Sequence, residues 1–242
     1  MTNLLLTMVP SVCFCGIIDF ETTPDGFTPV DNSRLDGAYV DGLTSVTFGI
    51  DSSGDFEIDT DVFFEQRGTN PLDSYGSNDS DGVFRGQFDR DDSGTGGTYF
   101  LRPGVSERNS DFSSLNGDAF LIVYSGLLPA SASGSLWDVD ANEINTVEAF
   151  DSGRNLLQRI TLTAADGGDS LPATFSFDSL STSIAFIRIT NNAGPLGFDN
   201  FNATESSNRV IPEPGSLTIW LVVGLVCTSV RRKRVKPALR LE

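Results

Sequence analysis

The chain has 242 residues, no histidine, and 33 acidic against 16 basic side chains, for a formal net charge of −17. Without imidazoles there is no Ser-His-Asp or Cys-His nucleophile system and no histidine-ligated zinc, and an acidic surface of this strength repels nucleic acid. Cys13, Cys15 and Cys227 lie close to the two ends, so the body of the chain holds no disulfide and depends on its apolar core.

Residues 1–16 come first and read as a signal-peptide-like segment: Leu4-Leu5-Leu6, Met8, Val9, Val12 and Phe14 supply an apolar stretch. No lysine or arginine precedes Arg34, and Cys13-Phe14-Cys15-Gly16 offers only Gly16 as a small residue for cleavage. A first buried strand is the alternative for the same stretch.

Residues 17–204 read as one acidic domain. Within residues 16–211 there are 31 Asp and Glu against 10 Arg, with no lysine. That length suffices for a single buried core. Helical periodicity is nearly absent, while short apolar or alternating runs recur between clusters of Gly, Asn, Asp and Ser, which predicts an all-β fold.

In chain order, Asp19-Phe20-Glu21 marks the first strand, followed by strands at 45–50, 62–64, 99–101, 119–124, 134–139 and 147–150. Residues 66–82 and 88–97, rich in Asp, Asn, Ser and Gly, read as long surface loops. Arg159-Ile160-Thr161-Leu162-Thr163 and Thr174-Phe175-Ser176-Phe177-Asp178 alternate strictly, which puts Ile160, Leu162, Phe175 and Phe177 in the core. Ala185-Phe186-Ile187-Arg188-Ile189 suits a central strand, and 198–203 closes the series. Spacing and patterning predict a β-sandwich of jelly-roll type.

Several stretches invite a chemical role. Asp89-Arg90-Asp91-Asp92-Ser93-Gly94 imitates the first half of an EF-hand loop, but Phe100 stands where its closing glutamate belongs. Asp138-Val139-Asp140-Ala141-Asn142 has the same opening, lacks the glycine, and reaches Ala149 at that position. Both read as acidic turns. Glycoside hydrolysis needs two carboxylates about 5–10 Å apart across a sugar; no motif selects a pair, so the expectation is a protein that is not an enzyme. Tyr75, Tyr99, Tyr124 and Trp137 are candidates for a sugar-stacking platform, with core burial as the competing fate. Leu136 and Trp137 are neighbours in one strand, so either one of them leaves the core or both faces are covered.

The domain resembles jelly-roll domains of the carbohydrate-binding type. That resemblance implies a structural calcium ion held by first-strand acids, Asp19 and Glu21, and by Asp199 just before the final strand; no other cofactor is expected. The run from Gly134 to Asp140, followed by Thr146-Val147-Glu148-Ala149-Phe150-Asp151 and Gly153, is similar to exported domains that carry the tail described next.

Residues 205–211 form a polar linker, and residues 212–236 a composite signal: Pro212-Glu213-Pro214, an apolar span over about 215–230, then Arg231-Arg232-Lys233-Arg234. As a helix the span reaches about 24 Å, short of the roughly 30 Å hydrocarbon core but tolerable with snorkelling cations and local thinning. Basic residues are retained on the cytoplasmic side, so the domain is expected outside. The triplet resembles the PEP-CTERM sorting signal of exported bacterial proteins. The resemblance implies an exosortase-type membrane enzyme as partner, cleavage near Pro212-Glu213-Pro214, and release or attachment at the cell surface. The expected function is a non-catalytic, membrane-anchored or surface protein with a structural or adhesive role against extracellular polysaccharide. A carbohydrate-binding module or calcium-stabilised sugar-binding domain is the alternative, with a glycoside hydrolase behind it.

Overall fold

Alternation in the segment around Val46, Phe48 and Ile50 points those three side chains to one side of a strand, and all three are buried. The computed structural model describes residues 17–66, 97–103, 115, 117–137, 139, 142–167, 171–178, 180–193 and 196–204. Two units partition the chain, Met1–Ser206 and Ser207–Glu242, and every described residue belongs to the first.

Among the described residues the strands in order are β1 (Ile17–Ile18), β2 (Tyr39–Asp41), β3 (Thr44–Asp51), β4 (Val62–Gln66), β5 (Tyr99–Pro103) and β6 (Ala119–Gly126). They continue as β7 (Ser131–Trp137), β8 (Ile144–Phe150), β9 (Leu156–Thr163), β10 (Ala173–Phe177), β11 (Phe186–Asn191) and β12 (Gly197–Thr204). One sheet runs β10-β7-β12-β5-β4 with β1 also paired to β12, and the other runs β2-β3-β6-β11-β8-β9. All pairings are antiparallel. The fold is therefore all-β, with two sheets facing each other over one core.

Phenylalanine dominates the seam between the sheets. Phe48 of β3 lies 5.9 Å from Phe198 and 5.6 Å from Phe201 of β12, and Phe120 of β6 lies 5.0 Å from Phe198, ring centre to ring centre. Each such side chain contributes about 1.5–3 kcal/mol by leaving water, and tilted or edge-on ring pairs add to that. Gly134 in β7 makes room for the cluster, since a Cβ there would meet the Phe175 ring at 2.9 Å.

The predicted strands from β3 onward all form, with boundaries moved by a few residues. Leu162, Phe175 and Phe177 are buried, and Ile160 is half-buried against the core. Two expectations need correcting, and one strand was not foreseen. The first strand is Ile17–Ile18, not Asp19-Phe20-Glu21, because the chain bends immediately after β1 and Phe20 enters the core at φ +57°. Hairpin partner β2 escaped the sequence reading because it is three residues long, joined to β3 by Gly42-Leu43 with Gly42 at φ +58°, a glycine-first loop that suits the strand twist. Strand β7 stops at Trp137, two residues early, although Val139 beyond it is still buried.

Leu136 and Trp137 are both buried, at 0 % and 8 % exposure, so the first sheet is covered on both faces there. Tyr99 and Tyr124 are likewise buried and present no platform to a sugar. Burial pushes the Tyr124 hydroxyl well above its ordinary ionisation range. Tyr75 lies outside the described residues.

Candidate functional site

Strand β12 is irregular at its middle. Asp199 pairs with Ser135 and Asn202 with Ser133, leaving an extra residue between them, and Asn200 takes a left-handed φ of +51°. Such a bulge re-aims the side chains beside it. On the opposite flank β1 pairs with Asn202 and Phe201, while β5 pairs at Phe198. The level of Asn200 is thus the junction where β1 gives way to β5.

Three sequence-predicted acids meet at that junction. Phe20 turns inward to 1 % exposure, which sends its neighbours Asp19 and Glu21 the other way. A left-handed phenylalanine is strained by about 1–3 kcal/mol, and the aromatic contacts of Phe20 with Phe48 at 5.3 Å and Phe198 at 5.9 Å hold it there. Glu21 Oε1 accepts hydrogen bonds from the N–H groups of Thr98 and Tyr99, the second at 3.0 Å. A Cβ at position 97 would meet that same oxygen, so a larger residue there displaces the Glu21 carboxylate from these bonds. Asp19 Oδ1 accepts from the Glu21 N–H at 3.2 Å.

Asp199 is the buried member, at 1 % exposure. Burial, reinforced by the charges of Glu21 and Asp19, pushes its carboxyl up to about 8 against the opposing pull of hydrogen bonds from the Asn200 and Gly97 N–H groups. The Asn200 bond measures 2.7 Å. Glu21 and Asp199 therefore hold the backbone where β1, β5 and β12 meet, and Asp199 binds a proton at neutral pH that an ordinary carboxylate has lost. A carboxyl this enclosed does not touch a dissolved substrate. Among the described residues no group of three or more histidine, cysteine, aspartate or glutamate side chains is arranged to hold a metal ion.

Sequence reasoning missed a second polar cluster. Arg102 Nε donates to Glu65 Oε2 at 2.7 Å and Arg102 Nη2 to Asn32 Oδ1 at 2.7 Å, with the guanidinium 5.1 Å from the Phe63 ring centre. Glu65 and Arg102 are 0 % and 1 % exposed. The available signal was one charged residue following Phe63-Phe64 and an opposite one following Phe100-Leu101. Also unforeseen is the loop after β3, where Asp51 Oδ1 accepts from Gly54 N–H at 2.6 Å and Asp59 Oδ2 from Ser52 and Ser53 N–H at 2.8 and 2.9 Å. These bonds lower the Asp59 carboxyl below its usual range.

The remaining candidates fall elsewhere. The stretch from Asp89 to Gly94, Asp138, Asp140, the motif Pro212-Glu213-Pro214, the span and Arg231-Arg232-Lys233-Arg234 all lie outside the described residues, as do residues 1–16. Phe100 and Ala149, the closing positions of the two EF-hand-like stretches, are buried in β5 and β8. Among the described residues no helix is long and apolar enough to cross a membrane. No family model matches the chain, and no curated protein matches it in sequence.

Proposed function

We propose that the chain is an exported bacterial surface protein in which an acidic β-sandwich of jelly-roll type is delivered by a PEP-CTERM-like tail. The observation that carries this reading is the order of the last segments: Pro212-Glu213-Pro214, an uncharged run over 217–230, and Arg231-Arg232-Lys233-Arg234. A single apolar helix followed by cations is retained in the bilayer with its basic end inside, which leaves the domain outside. An exosortase-type enzyme is the processing partner, and the role is structural or adhesive, without catalysis, beside extracellular polysaccharide. The test is the intact mass of protein recovered from the cell surface. Loss of the span and basic tail from the wild type, but not from a Pro212-Glu213-Pro214 to Ala-Ala-Ala variant, supports sorting and cleavage. A complete tail on both reduces the segment to a plain anchor.

One observation favours a second reading, a calcium-stabilised sugar-binding domain: Asp19, Glu21 and Asp199, distant in sequence, converge at the β1–β5–β12 junction. All-oxygen donors are what calcium takes. Their present arrangement is less favourable, since Glu21 and Asp199 already accept backbone N–H groups and the described acids form no metal cluster. Thermal unfolding with excess calcium or with a chelator decides: a stabilisation by calcium that Asp199→Asn abolishes supports the second reading, and identical curves remove it.

A further inference from the structure

Among the described strands four end the two sheets, β10 and β4 in one and β2 and β9 in the other, besides the two-residue β1, which pairs with β12 alone. An edge strand is a template for pairing with another chain unless something blunts it. Three of the four are blunted. β2 has only three residues and carries Asp41. The free side of β4 is covered by the segment before β2, with Asn32 N–H donating to Phe64 O at 2.9 Å, Leu35 N–H to Val62 O at 2.9 Å and Phe64 N–H to Ser33 O at 2.8 Å. The start of β10 is covered by its own connection, where an added Cβ on Gly167 would meet Ala173 N at 2.6 Å and Leu171 O at 2.7 Å.

β9 is different. It is eight residues long, and among the described residues its ladder partner is β8 alone. Thr163 N–H donates to Asp166 Oδ2 at 2.8 Å and Thr163 O accepts from Asp166 N–H at 2.8 Å, so the backbone groups of Thr163 face away from β8. Antiparallel alternation turns those of Thr161 and Arg159 to the same side. Among the described residues no hydrogen bond reaches them there. Arg159, the only charged residue of the strand, is drawn by Glu148 of β8 at 2.7 Å and is thereby held on the sheet face. The strand contains no acid, glycine or proline, which makes it the long edge at which two copies of a chain of net charge −17 meet without opposing carboxylates.

We propose that β9 pairs antiparallel with β9 of a second copy, joining their sheets across a two-fold axis. The free groups select the register. An axis at Ile160 sets Arg159 opposite Thr161 of the second copy and Thr161 opposite its Arg159, for roughly four backbone hydrogen bonds. An axis at Arg159 would oppose two guanidinium groups, and an axis at Thr161 would call on Thr163, whose groups Asp166 already holds. A two-fold contact of this kind is self-complementary and closed. It is independent of whether the tail is cleaved.

The test follows the mass of the full chain in detergent by light scattering over a rising concentration series. The wild type is expected to approach twice the monomer mass. Thr161→Pro, which deletes an N–H on the free side and leaves the β8 ladder intact, is expected to stay monomeric and to melt cooperatively near the temperature the wild type shows when dilute. Should that variant fail to fold, cross-linking decides: mixed Arg159→Cys and Thr161→Cys chains are expected to join under oxidation several-fold more than either does with itself, against the background set by the native cysteines. A wild type that stays monomeric throughout, a dimer that survives Thr161→Pro, as one formed through the tail would, or cross-linking at background each overturns the proposal.

Discussion

The outer face of the first sheet at β4 and β5 and that of the second at β8 and β9 differ in their access to water. In the first, β4, β5 and the end of β7 are buried on both sides, so Phe63, Phe100 and Trp137 lie inside although they point away from the main core. In the second, the edge at β9 is wet, and the cross-strand pair Glu148–Arg159 sits there with the Arg159 side chain 59 % exposed over a Glu148 side chain that is 12 % exposed. A charge pair buried in the first sheet and one open to water in the second have the same chemistry and very different weights. Removing one partner of a buried pair strands a charge in a low-dielectric site, whereas water replaces a lost partner at the surface.

The largest effect should therefore come from Arg102→Ala, which leaves the Glu65 carboxylate enclosed; a loss of about 3–5 kcal/mol is expected in urea unfolding. Replacing both partners with apolar residues should recover most of that loss. A single-variant loss near 1 kcal/mol would mean that the outer face of the first sheet is as wet as that of the second.

Asp199 sharpens the contrast through pH. Its folded carboxyl holds a proton up to about 8, while the unfolded chain releases it in the ordinary carboxylate range, about 4. Between those values the folded state binds more protons, so this contribution to stability falls as pH rises through the window and levels off above it. Melting temperatures measured in chelator across that window should decline for the wild type more steeply than for Asp199→Asn. Equal slopes would show that the junction is solvated.

Arg159→Ala should cost least, about 0.2–1 kcal/mol, because the guanidinium is itself largely exposed and its removal opens Glu148 beneath it to water. Chemical unfolding curves for this variant and for Arg102→Ala, measured side by side, test the comparison directly: similar losses would erase the distinction between the faces.

The same difference explains what the sequence disclosed. In β9 and β10, where one face is wet, strict alternation marked Leu162, Phe175 and Phe177 for the core, and they are buried. In β7 the pattern is ambiguous, because a strand end covered on both faces has no polar side; Leu136 and Trp137 could not be ranked, and both are inside. The buried Glu65–Arg102 pair stayed hidden because two charges 37 positions apart give no local sign of meeting. Convergence of Asp19, Glu21 and Asp199 was legible only through a resemblance. The Gly97, Thr98 and Tyr99 N–H groups that tie Glu21 and Asp199 down depend on where β5 arrives, and nothing near those acids announces it. Strand β2 is too short to show a period.

The pairing of β1 with β12 also sets when folding can finish. Ile17 and Ile18 find their partners, Asn202 and Phe201, only after nearly the whole domain has been made, and β12 is the strand that joins β7 to β5. Until it arrives, Phe48 and Phe120 lack Phe198, and the first sheet remains in pieces. Contacts so distant along the chain make for slow assembly. The second sheet can pair without β12, but the first cannot close before it, so the shared core is completed only when the last strand of the domain has been made.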